Sequence, residues 1–115
     1  MQPLLLQKKA EVFLNNLYPL LKNFPKAEKF CLCQEMKQAC YRVIRNAMTY
    51  NSLKMNDKIH YLHQVDADIK LLLVLISVAR GQKYITERKA YELQEKVSEL
   101  GRITGGLIKS HHTKR

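Results

Sequence analysis

Apolar residues recur three and four positions apart along most of the chain, which is the period of an α-helix viewed from one side. The pattern is clearest at Leu62, Val65, Ile69, Leu72, Ile76 and Ala79. In the same stretch Leu71, Leu73, Val74, Leu75 and Val78 fill the remaining faces. A helix that is apolar nearly all round has to be covered nearly all round. Lipid is a poor cover, because crossing a bilayer takes roughly 20 apolar residues. Here Lys70 interrupts a shorter run flanked by Asp66, Asp68 and Arg80. Other helices must therefore do the covering. A chain of 115 residues covers one side of such a helix well and the other poorly. An oligomer is expected, with Leu71 and Leu75 among the residues assigned to assembly.

The same spacing predicts three more helices. The first runs from about Leu4 to Asn23, with Leu6, Ala10, Phe13, Leu17, Leu20 and Phe24 as its seam. Pro19 removes one donor from its ladder, so a kink or tightened last turn is expected, and Pro25 ends it. The second begins at Lys26–Glu28 and reaches Asn51, burying Phe30, Cys33, Met36 (or the stem of Lys37), Cys40, Val43, Ile44 and Ala47. Asn56 is the expected N-cap of the third helix and Gly81 its closing glycine. Thr86 caps the fourth, which buries Ala90, Leu93, Val97, Leu100, Thr104 and Leu107 and carries a Glu92–Lys96 pair. Four helices with short connections most simply form an antiparallel up-down-up-down bundle. The fold class is all-α, with residues 1–110 as one domain and 111–115 as a basic disordered tail.

Ser98, Gly101 and Gly105 share one face of the last helix, with Gly106 adjoining. Each glycine costs roughly 1 kcal/mol of helix stability relative to alanine. Their use implies close backbone approach, within the bundle or between subunits, against the alternative of fraying towards the end.

Charge narrows the function. Twenty Lys and Arg against ten Asp and Glu leave a net charge of +10 and a pI of about 9.7. Such an excess concentrates phosphates and carboxylates at the surface, which points to nucleic acid, an anionic membrane or an acidic protein. The candidate phosphate contacts are Lys37, Arg42, Arg45, Arg88, Lys89, Lys96, Arg102, Lys109, Lys114 and Arg115. Contacts of this type supply affinity and salt dependence without sequence readout. No platform of aromatics interleaves with them along the chain, so sequence-specific reading of single strands is not indicated.

Other chemistry is weaker. Cys31 and Cys33 diverge on a helix, no C-x-x-C is present, and His60 with His63 offers two ligands at most, so no metal is expected. Asp66 and Asp68 also diverge, which excludes acid–base work at one site; Asp66 is expected to accept hydrogen bonds or pair with Arg102. With no phosphate loop and no nucleophile beside a base, neither an enzyme nor a cofactor is expected. Three cysteines, and an N-terminal segment whose lysines lie on the wrong side for a secretory leader, imply a reduced cytoplasmic chain.

Glu99-Leu-Gly-Arg-Ile-Thr-Gly-Gly-Leu-Ile-Lys-Ser110 resembles the closing signature of the accessory variability determinant (Avd) family of diversity-generating retroelements. Asn16-Leu-Tyr-Pro19, Tyr61 with Asp66-Ala67, and Tyr84-Ile85-Thr86 resemble the family's other helices in the right order. A wider kinship is with the four-helix proteins encoded by ribosomal-RNA intervening sequences. The resemblance implies a ring-like homopentamer of bundles with a basic surface. It also implies a non-catalytic protein that binds a reverse transcriptase and RNA or DNA in support of mutagenic retrohoming. Asp66, Gly101, Arg102 and Gly105 carry over as structural or assembly residues. The family's third-helix arginines are here Leu73 and Ser77, and its terminal tryptophan is Leu107. The rival readings are a scaffold for an acidic protein and a bundle associated with ribosomal RNA.

Overall fold

A computed structural model describes residues 2–52, 54 and 58–113. Among these residues there are four α-helices and no strand: α1 (Gln2–Leu21), α2 (Leu32–Ser52), α3 (Ile59–Gly81) and α4 (Glu87–Thr113). A single 3-10 turn, Lys26–Glu28, joins α1 to α2. The bundle is all-α, with extents of 47 × 24 × 18 Å. Each helix packs on its sequence neighbour, α1 closes the ring against α4 less extensively, and α2 and α4 lie diagonally opposite.

The predicted seams form most of the core, with Leu20 of the first only partly buried. Leu6, Ala10, Phe13, Leu17 and Phe24 are buried from the first segment. All six seam residues of α3 and all six of α4 are buried. Thr104 is accommodated in that apolar setting because its Oγ1 donates to the Leu100 carbonyl at 2.8 Å. The remaining apolar residues of α3 divide. Leu71, Leu73 and Leu75 are half-buried against the core, whereas Val74 and Val78 stay exposed. Within one chain, α2 and α4 therefore cover most of this helix and leave an aliphatic row outside.

The second helix departs from expectation. It begins at Leu32, not at Lys26–Glu28, and Phe30 is 76% exposed instead of buried. The cause is Glu28. Its carboxylate accepts the Leu32 amide at 3.2 Å and the Tyr84 hydroxyl at 2.8 Å. It thereby fills one of the empty donor positions at the α2 N-terminus and favours the helix dipole there. The turn before it is held by Glu28 N–H to Pro25 O at 2.9 Å and Lys29 N–H to Lys26 O at 3.1 Å. Leu32, Ala39 and Tyr50 join the expected Cys33, Met36, Cys40, Val43 and Ala47 on the buried face, while Ile44 is only partly buried.

Three ends also differ. Pro19 lies inside α1, which ends two residues later at Leu21. Gly81 is the last residue of α3, and the left-handed position falls on Lys83, with φ of 66°. Tyr84 N–H to Ala79 O and Lys83 N–H to Arg80 O, both 2.9 Å, complete a Schellman closure around that lysine. Finally, α4 continues to Thr113, into the segment expected to be disordered. Ile108 still packs on the core, and the last turn carries His111 and His112. The Asn56 cap lies outside the described residues. Thr86 caps α4 as expected, its Oγ1 accepting the Lys89 amide at 3.0 Å.

Candidate nucleic-acid interface

The candidate cations do not converge on one face. They fall into a group on α2 and a group on α4, on diagonally opposed helices.

On α2, Arg42 is not an available phosphate contact. Its Nε and one terminal guanidinium nitrogen both lie 3.0 Å from Asp68 Oδ1 of α3. Asp68 is only 8% exposed, so this cation is committed to neutralising a nearly buried carboxylate. The same charge acts on Cys40, whose thiol is pushed up to about 12 by burial first and by Asp68 second. Arg45 is exposed. Lys37 is half-buried, with its ammonium 4.7 Å from the centroid of the Tyr18 ring. The hydroxyls of Tyr18 and Tyr41 hydrogen-bond to each other across α1 and α2. That bond, with a smaller contribution from burial, raises the Tyr41 phenol above its ordinary range. Beside it, Tyr41, Ile44, Arg45, Met48 and Thr49 line a shallow depression of about 270 Å³. Two exposed aromatics thus sit among the α2 cations, contrary to the expectation that none would. The spacing of Lys37, Tyr41 and Arg45 was legible in the sequence, whereas the arrival of Tyr18 from another helix was not.

On α4, Arg88 and Lys89 both pair with Glu92, at 3.6 and 3.2 Å. Glu92 therefore turns back towards the helix start, and the expected Glu92–Lys96 pair is replaced. Lys96, Arg102 and Lys109 are exposed, while Lys114 and Arg115 lie outside the described residues. Glu99 bonds Lys9 of α1 at 2.9 Å. That bond and the Lys9 charge hold its carboxyl below the usual range, helped by Arg102 and Lys96. At the α3–α4 end, Arg80, Lys83 and Lys89 flank an open groove of about 800 Å³ floored by Leu20, Tyr84 and Ile85. Arg80 and Lys83 were not among the candidates.

The candidate structural residues also find partners. Asp66 pairs with Lys70 at 3.0 Å, one turn along its own helix, and not with Arg102. A Cβ at Gly101 would meet Ile69 Cγ2 at 3.6 Å, an ordinary contact, and one at Gly105 would meet nothing within 4 Å. Close backbone approach inside the bundle therefore does not explain these glycines. Cys31 is exposed, Cys33 and Cys40 are buried, and no group of three metal-ligating side chains forms among the described residues. No helix among them is long and apolar enough to cross a membrane.

A model of the bAvd-like family matches residues 4–111, from the first turn of α1 to the last turn of α4. The chain belongs to the bAvd-like family. The match includes the Gly-Arg-x-x-Gly-Gly segment of α4 and the Leu-Tyr-Pro of α1 that resembled Avd in the sequence. No curated protein matches. Among solved structures, the bundle is similar to a protein with unknown function from the S23 ribosomal protein family of Bacteroides thetaiotaomicron. The TM-score is 0.85 and the identity 14%, over 95% of this chain and 99% of that one. At that identity the likeness speaks for the shared bundle of this bAvd-like chain alone.

Proposed function

We propose that this protein is the non-enzymatic accessory factor of a diversity-generating retroelement. It binds the element's reverse transcriptase and associates with RNA or DNA through its basic surface, working as a cytoplasmic homopentamer. The observation that carries this reading is the family match over residues 4–111. It is supported by the excess of 20 Lys and Arg over 10 Asp and Glu. The exposed Arg45, Lys96, Arg102 and Lys109 lie on two sides of one bundle. Five copies would multiply this charge, and the exposed row of Val74 and Val78 on α3 is an apolar surface for assembly.

Titrating a labelled RNA with the purified protein tests the nucleic-acid half. If about four phosphates of a single strand are neutralised, affinity should fall about fifty-fold between roughly 50 and 200 mM salt. Indifference to salt would rule this mechanism out. The retroelement half is tested by the genomic surroundings. A neighbouring reverse-transcriptase gene with paired template and variable repeats is expected, and their absence would overturn the assignment.

A further inference from the structure

Lys37, Tyr41 and Arg45 follow one another four residues apart on α2, so they stand in one row, continued by Met48; Lys37 is half-buried and the other three are exposed. The facing row on α1 is fixed by two hydrogen bonds: Tyr18 to Tyr41, and Asn51 Nδ2 to Gln7 Oε1 at 3.5 Å. Gln7, Glu11, Leu14 and Tyr18 form that row, with Glu11 its one carboxylate. Tyr18 is 36% exposed, Tyr41 38% and Met48 51%. The Lys37 ammonium lies over the Tyr18 ring, so cation and aromatic are already in register.

We propose that Tyr18, Lys37, Tyr41, Arg45 and Met48 form a contact site for unpaired nucleic-acid strands, with bases against the tyrosine rings and Met48 and phosphates on Lys37 and Arg45. This rests on the nucleic-acid-binding reading above and names its substrate class. Cations with exposed aromatic faces are the combination that holds single strands without regard to sequence. A duplex hides its base faces and would use only the charges. An acidic protein segment would likewise use the cations, but has no need of rings placed between them. Along α2 the order is cation, ring, cation at one-turn intervals, an alternation suited to a strand of phosphates and splayed bases. The depression of about 270 Å³ beside Tyr41 gives a flat group somewhere to rest.

The experiment compares uridine-only RNA and thymidine-only DNA 20-mers with a duplex of the same length, by anisotropy, over a salt series. It uses the intact protein, Tyr18→Ala/Tyr41→Ala, Tyr18→Phe/Tyr41→Phe and Lys37→Ala/Arg45→Ala, with helicity checked by circular dichroism. The alanine pair of rings should lose about ten- to a hundred-fold in single-strand affinity at an unchanged salt slope. The phenylalanine pair should bind as the parent does. The lysine–arginine pair should flatten the salt slope by about 1.4. The chain has six tyrosines and no tryptophan, so single strands should also quench the parent's tyrosine emission directly, without any substitution. Parent-like single-strand binding by the alanine pair, or no quenching on saturation, overturns this face while leaving general nucleic-acid binding intact. If the parent binds no oligonucleotide, the broader reading fails and takes this one with it. Loss of reverse-transcriptase capture with oligonucleotide binding unchanged would make the face a protein-docking surface and overturn the proposal.

Discussion

Replacing Arg42 separates a structural cation from a functional one. Asp68 is 8% exposed, and Arg42 holds its Oδ1 with two nitrogens at 3.0 Å. Arg42→Ala would leave that carboxylate nearly buried without its partner. Breaking a fully buried pair costs about 3–5 kcal/mol. The Arg42 side chain is 35% exposed, so water re-enters readily and the figure is reduced to about 2–3 kcal/mol. With a urea m-value of about 1.5 kcal/mol/M for a domain of this size, the midpoint should fall by roughly 1.5 M. Replacing both partners by apolar residues, Arg42→Met with Asp68→Leu, removes the stranded charge and should restore most of the loss. The assay is urea denaturation followed by circular dichroism on Arg42→Ala and on the double variant. RNA affinity of folded Arg42→Ala should keep the parent's salt slope, because the guanidinium is already committed. A midpoint unchanged within error in the single variant would refute the reasoning, as would a double variant no better than the single.

Further expectations follow from local geometry. Thr86→Ala removes the acceptor for the Lys89 amide and should cost about 1 kcal/mol. Lys83→Gly, at φ of 66°, should raise the melting temperature by relieving a left-handed residue, and a fall would contradict the turn described. A maleimide at neutral pH should label the exposed Cys31 first. Cys40, buried and with its thiol near 12, should react only on unfolding, and equal rates would exclude that environment. The Glu99 carboxyl is lowered in the folded state by Lys9, so its contribution is present above the unfolded carboxyl range and is lost as pH falls through the folded value. Lys9→Ala should therefore narrow the difference in stability between neutral and acid pH, and a wider difference would reverse the sign.

Most of the core was legible because helical periodicity is a local property. The seams of α3 and α4 were read without error from three-four spacing. What escaped depended on residues far apart in sequence. Glu28 sets the start of α2 by receiving Tyr84 from the far connection, and a periodicity that continued through Phe30 gave no hint of it. Asp68 drew Arg42 out of the list of phosphate contacts in the same way. The Avd-like signature of α4 located the family, yet neither it nor charge counting revealed that the cations divide between opposite sides of the bundle. The Tyr18–Tyr41 pair belongs to this class too, since half of it is on α1 and half on α2.

The most direct test of the central claim is the mass of the protein in solution by light scattering, at low and high salt, with and without RNA. The account predicts a pentamer that takes up RNA at low salt and releases it at high salt. A monomer with no uptake of RNA at any salt would contradict it.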